Sequence, residues 1–288
     1  MNIRPRRSVL YMPADNARAL EKARSLPCDC VIIDLEDAVA PENKLAARAQ
    51  AVASVRAGGF GGREVVIRVN GRDTSWGAED LAAAVEAQPD AILVPKVNDA
   101  ADVAAYDAAL SGQPRLWAMI ETCAAVFQLD AIGRAAAKTR LEAWVIGTND
   151  LAKEMRCRPG ADRTPLLPAL ALAVTAARAH GIVVIDGVFN DIGDADGLAR
   201  QCAQGADFGF DGKSLIHPGQ VGPANRAFSP TAEEIDWAQA VVAAFALPEN
   251  ADKGVVKVAG KMTERLHLAQ AQRALAVAEA IARHETQA

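Results

Sequence analysis

The chain has 288 residues, enough for one large domain or for a barrel with a short appendage. Half of it is apolar and the net charge is -5, which argues against nucleic acid as the main partner, because phosphate binding needs a concentrated basic face. The five cysteines (Cys28, Cys30, Cys123, Cys157 and Cys202) form no C-x-x-C pair, so neither a zinc site nor a disulfide framework is supported.

Taken in order, the pattern alternates. Residues 8–12 are a short apolar run ended by Pro13, and residues 16–26 read as a helix with Asn16 as cap. Residues 31–35 form a strand by their β-branched content, and Pro41 opens a helix that runs to residue 55. Strands at 64–69, 91–95, 116–120 and 143–146 alternate with helices at 76–87, 100–110, 123–137 and 166–180. A strand at 182–185, a helix at 194–204 and a last strand at 208–210 complete eight units. Such alternation implies a parallel sheet, and eight units in this length fit a closed (β/α)8 barrel over residues 1–224. The rival, an open doubly wound sheet, expects a glycine fingerprint after its first strand, where SVLYMPADNAR has no glycine. The cluster Gly58-Gly59-Phe60-Gly61-Gly62 follows a helix and precedes a strand, so it is a turn on the face opposite the active end.

After Gly212 the alternation stops. Residues 225–288 read as a C-terminal helical extension, with helices at 231–245 and 265–284 and a turn or short hairpin between them. It is expected to pack on the barrel or to reach a neighbouring subunit. The basic N-terminal stretch lacks the apolar core of a signal peptide, and no apolar run nears the roughly 20 residues that span a bilayer. A soluble cytoplasmic protein with reduced thiols is expected.

In such a barrel the chemistry lies at the C-terminal strand ends. Those positions hold carboxylates at 34, 36, 37, 121, 150 and 186 and cations at 68, 96 and 213. Glu121 and Asp150 close neighbouring strands and are expected to meet; two carboxylates plus water and substrate oxygens suit Mg2+. The competing expectation is a plain ion-pair network with Arg68 and Lys96. Arg68, ending VVIRVN, suits a substrate carboxylate or enolate oxygen, or else pairs Asp34 or Asp37. Arg4, Arg6 and Arg7 either grip phosphates or are solvated, and His217 reads as a turn residue.

The segments Arg7-Ser-Val-Leu-Tyr-Met-Pro13, Asp34-Leu-Glu-Asp-Ala-Val39, Arg68-Val-Asn70, Pro95-Lys96, Ile120-Glu-Thr122, Gly147-Thr-Asn-Asp-Leu151 and Gly209-Phe-Asp-Gly-Lys213 occur in that order. Together they resemble the citrate lyase β-subunit-like family of the HpcH/HpaI aldolase group, which includes malyl-CoA and citramalyl-CoA lyases. The resemblance implies a TIM barrel and an Mg2+-dependent lyase that reversibly cleaves a 3-hydroxyacyl-CoA into an acetyl-CoA-type thioester and a 2-oxo acid. It carries the metal ligands onto Glu121 and Asp150, the substrate-binding arginine onto Arg68, and polar roles at the second strand onto Asp37 and Lys44. It also implies a homotrimer or hexamer. In Gly260-Lys-Met-Thr-Glu264, Glu264 stands where relatives carry an aspartate, supplied by a neighbouring subunit as acid or base. Its carboxylate lies one methylene further out, and a shift near 1 Å costs about 10²-fold in rate. The alternatives are a lyase subunit acting on an acyl-carrier-protein thioester, a malyl-CoA-type thioesterase, a phosphoryl-transfer barrel, and a non-catalytic interaction protein.

Overall fold

The computed structural model describes residues 3–286 and divides into two compact units, Arg6–Phe228 and the chain from Ser229 onward with the residues just ahead of Arg6. The first unit runs β1 (Ser8–Pro13), α1 (Ala17–Ala23), β2 (Cys30–Asp34), α2 (Lys44–Ala57), β3 (Glu64–Arg68), α3 (Gly77–Ala87), β4 (Ala91–Val94) and α4 (Ala100–Ala109). It continues with β5 (Arg115–Ile120), α5 (Cys123–Phe127), α6 (Leu129–Ala135), β6 (Leu141–Ile146), α7 (Thr148–Met155) and α8 (Leu167–His180). It ends with β7 (Val183–Asp186), α9 (Ala195–Phe208), β8 (Gly212–Leu215) and α10 (Val221–Ala227). The eight strands are parallel and close on themselves, β1 pairing with both β2 and β8. The expected (β/α)8 barrel is therefore present.

Period-two alternation divides each strand between two layers. Inward positions such as Val9, Ile32, Val66, Leu93, Trp117, Met119, Val145 and Ile185 fill the barrel. Their neighbours Leu10, Ile33, Ile67, Ile92, Ala118, Trp144 and Val184 face the helices. The N-terminal floor is closed by charge. Arg6 donates to Glu64 at 2.6 and 2.7 Å and to Glu142 at 2.7 Å, and its guanidinium lies 5.0 Å over the Trp117 ring. Arg7 is buried on Asp29 at 2.9 Å. Neither arginine is a solvated terminal cation, and neither belongs to the active end.

The structure corrects the last strand. Residues 208–210 end α9 and turn through Gly209 at φ +90°, and β8 is the Gly-Lys-Ser-Leu run that follows. Its lysine and serine hid it from a reading based on apolar runs. The shift moves Asp211 to the start of the strand, where it accepts from Val184 N and Arg178. Lys213 and Asp186 have outward parity and meet between sheet and helices, not at the rim. Lys213 Nζ donates to Asp186 at 2.8 Å and Gln201 at 2.7 Å, while Arg163 holds the other Asp186 oxygen at 2.7 Å. Burial favours the neutral acid, yet Lys213 and Arg163 hold Asp186 below the usual carboxylate range. The expected helix at 123–137 breaks at Gln128 into α5 and α6, and α7 is a helix the periodicity did not show.

The second unit contains α11 (Ala232–Ala246), the antiparallel pair β9 (Val255–Val258) and β10 (Lys261–Glu264), and α12 (Arg265–Glu285). Thr231 and Glu234 form a capping box that starts α11. The hairpin turns at Ala259 and Gly260, both with positive φ, as a two-residue turn of right-handed strands requires. Val241, Phe245, Val256, Val258 and Ala271 form its core. Among the described residues no helix is long and apolar enough to cross a membrane.

Replacing Lys213 by alanine leaves Asp186 buried with half its counter-charge. Losing one partner of a buried pair costs about 3–5 kcal/mol, and the retained Arg163 places the expected loss near about 3 kcal/mol. Urea unfolding midpoints of the two proteins check this.

Candidate active site

Inward parity carries the site. Continuing each inward row one step past the packed layers brings Tyr11, Asp34, Arg68, Glu121 and Gly147 to the C-terminal mouth. The parallel register makes Asp34 and Arg68 direct neighbours on β2 and β3. Arg68 Nε and Nη2 donate to the two Asp34 oxygens at 2.6 Å each. Its Nη1 lies 2.7 Å from Glu36 and 3.5 Å from Asp37, and the guanidinium sits 4.7 Å over the Tyr11 ring. Although burial opposes its charge, Asp34, Tyr11 and Glu36 raise the Arg68 pKa well above the usual value. The expected pairing with Asp34 and Asp37 is thus present, and Arg68 also lines the cavity.

Asp34 further accepts from the backbone N–H groups of Glu36 at 2.9 Å and Ala38 at 3.1 Å, which folds the loop after β2 around it. Lys44 fastens that loop from behind: Nζ donates to Leu35 O at 2.7 Å, Glu36 O at 2.6 Å and Asn70 Oδ1 at 3.0 Å. With three acceptors and no place on the cavity wall, Lys44 anchors the loop. Asp37 lines the cavity and is 70% exposed.

Glu121 is buried at the end of β5. Its Oε1 accepts from Lys96 N at 2.8 Å, while Oε2 lies against the Cα of Gly147, where an added Cβ would come within 2.4 Å. Burial pushes this carboxyl up to about 7 against the pull of the Lys96 N–H and Arg68. Burial likewise pushes Glu36 up to about 8; Arg68 opposes the rise, and Asp37, Glu121 and Asp34 add to it. Asp150 stands in the first turn of α7, and Lys96 Nζ lies 3.8 Å from it and 3.7 Å from Glu36. The competing ion-pair expectation is therefore met for Lys96, but Glu121 takes only its backbone N–H.

The cavity measures about 270 Å³ and is walled by Tyr11, Asp37, Arg68, Glu121, Asp150 and Asn190, among others. Asn190 and Asn149 exchange amide hydrogen bonds at 2.8 and 3.3 Å across its edge. Sequence reasoning missed Tyr11, Ser214 and Asn190. The first two follow from inward parity, once β8 is placed correctly, whereas Asn190 lies in a loop with no period. His217 is a turn residue, its Nδ1 accepting from Gly219 N. A groove of about 520 Å³ near Arg115, Arg134 and His180 has its charges already paired with Glu142 and Asp130. Glu264 belongs to the other unit, where its backbone N–H donates to His267 Nδ1 at the start of α12.

Around the mouth five carboxylates (Asp34, Glu36, Asp37, Glu121 and Asp150) stand against the cations Arg68 and Lys96, with Lys44 behind the loop, still an excess of negative charge partly out of water. That donor set fits a hard divalent cation between Glu121 and Asp150. Among the described residues no three His, Cys, Asp or Glu side chains converge as a closed cage, so water and ligand oxygens would complete the shell, as open Mg2+ sites do.

Residues 7–218 match the family described as HpcH/HpaI aldolase/citrate lyase. The chain is 49% identical to a (3S)-malyl-CoA thioesterase of Cereibacter sphaeroides, over 96% of each protein. It is 32% identical to the citrate lyase subunit beta of Leuconostoc mesenteroides subsp. cremoris, over 97% of this chain and 95% of that one. The crystal structure of protein CitE from Mycobacterium tuberculosis in complex with magnesium, acetoacetate and coenzyme A superposes with a TM-score of 0.79 at 27% identity, covering 97% of this chain and 100% of that one. This chain belongs to the HpcH/HpaI aldolase/citrate lyase family.

Proposed function

We propose that the chain is an Mg2+-dependent enzyme that hydrolyses a malyl-CoA-type thioester at the mouth of the barrel. The observation that carries this is the pair Glu121 and Asp150 on one cavity wall with a clamped Arg68 beside them. The cation, held by Glu121 and Asp150, would supply Lewis-acid polarisation and a template for the ligand's oxygens. Arg68 keeps its place without substrate, because Asp34 fixes its fork, so it costs no reorganisation when negative charge develops on the thioester oxygen. Asp37, exposed and beside Arg68, takes the proton of the attacking water. Water adds to the thioester carbon, the C–S bond breaks, the proton on Asp37 passes to the departing sulfur, and malate and free CoA leave. Hydrolysis is favoured over carbon–carbon cleavage by the likeness to thioesterases at 49% identity over nearly the whole chain.

The second reading is the lyase reaction, in which the C2–C3 bond breaks to give acetyl-CoA and glyoxylate. The likeness to the citrate lyase subunit beta favours it. In that reading Glu264 serves the site of a neighbouring copy within a homotrimer or hexamer.

Malyl-CoA incubated with the purified chain and Mg2+ is expected to yield free CoA and malate, with nothing released in EDTA. Acetyl-CoA and glyoxylate without free CoA would instead establish the lyase reading. Glu121→Ala and Asp150→Ala are expected to lose about 10³-fold or more in kcat/KM, and Arg68→Lys about 10²-fold, since lysine cannot reproduce the fork. Gly147→Ala should weaken Mg2+ binding and cost about 1–3 kcal/mol by overpacking against Glu121. Part of that cost should remain in the Gly147→Ala/Glu121→Ala double variant, because the Cβ of residue 121 also lies 2.5 Å from the added methyl; a double-mutant cycle separates the carboxylate's share. Mixing inactive Glu264→Ala and Glu121→Ala chains restores activity if Glu264 acts between copies; unrestored activity rules that role out.

A further inference from the structure

Lys96 has a backbone conformation that its residue type seldom adopts. It follows β4 with φ +52°, in the left-handed region. Such a residue persists only where its surroundings hold it. Its N–H is spent on Glu121 Oε1 at 2.8 Å. Its carbonyl accepts from Asn98 Nδ2 at 3.1 Å, and Asn98 Oδ1 accepts from Thr122 Oγ1 at 2.8 Å, on the residue that follows Glu121. The loops after β4 and β5 are thereby locked together, and the side chain is sent over the carboxylate cluster.

The ammonium group lies 3.8 Å from Asp150 Oδ2 and 3.7 Å from Glu36 Oε1. Both distances are those of an ion pair and too long for a hydrogen bond, so the group sits between two carboxylates without being fastened to either. Its side chain is half exposed, and a lysine stem can swing its head into water at small cost. Arg68 is committed to Asp34 and Lys44 to the oxygens of Leu35, Glu36 and Asn70, so neither is placed on Asp150.

We infer that Lys96 is the built-in counter-ion of the cation site: its ammonium, sharing Glu36 with Arg68, neutralises Asp150 while no divalent cation is bound, and yields that place when one enters. This rests on the reading of Glu121 and Asp150 as the cation's ligands. A divalent cation on Asp150 and an ammonium within a few ångströms repel each other, so the two compete for the same oxygen. The chain then trades cation affinity for a cation-free site that keeps its shape.

The test is calorimetric titration of the EDTA-treated, dialysed chain with Mg2+, together with its thermal unfolding in the metal-free state. Lys96→Met keeps an unbranched side chain of similar length and removes the charge; Lys96→Arg keeps the charge. We expect Mg2+ to bind about tenfold tighter to K96M and within about twofold of wild type to K96R. Metal-free K96M is expected to melt below wild type and to regain the difference at saturating Mg2+. Lys96→Gly accepts φ +52° without strain and removes the same charge, so the same tightening is expected should K96M fail to fold. A Kd for the uncharged variants equal to or weaker than that of wild type overturns the counter-ion role alone. A wild-type chain that binds no Mg2+ overturns the assignment of Glu121 and Asp150 as well.

Discussion

Arg68 and Asp34 lie side by side on neighbouring parallel strands, and their two 2.6 Å contacts place a buried ion pair on the cavity wall. The β2 side of the mouth takes its position from this pair. Asp34 spends its remaining acceptor capacity on the N–H groups of Glu36 and Ala38, so the loop after β2 is wound around it. Arg68 in turn keeps a third nitrogen for Glu36 and Asp37. Removing either partner would strand a buried charge and release the loop together, so the pair is scaffold for the site as well as part of its wall.

The mouth is also electrostatically unfinished. A barrel end built for stability alone would balance its charges, because buried like charges raise one another's pKa and oppose folding. Here burial and neighbouring carboxylates push Glu36 up to about 8, and burial pushes Glu121 up to about 7. A further positive charge at this spot relieves both. The contrast with the outer layer is informative: Asp186 is as deeply buried but has Lys213 and Arg163 to itself, and it stays ionised.

Much of this was legible in the residues. β-branched runs and their spacing show the first seven strands, and the strand-end rule singles out Arg68, Glu121 and Asp150. The eighth strand was not legible, because Gly-Lys-Ser-Leu is polar where a buried strand is expected to be apolar. That one misplacement put Asp211 and Lys213 at the wrong end and face. Parity settles the matter: Lys213 and Asp186 point outward, Ser214 inward. Lys44 shows the other limit. The family resemblance gave it a polar role after the second strand, and its three acceptors are backbone and amide oxygens that only the fold brings within reach. Asn190 had no signal at all, since loops carry no period.

The floor of the barrel has a bearing on traffic. Arg6, stacked on Trp117 and tied to Glu64 and Glu142, together with the packed inward layer above it, leaves no passage through the axis. Among the described residues the cavity therefore opens at the mouth and not through the floor. Whatever reacts at Glu121 enters and departs by the same route, so a product still in residence bars the next substrate.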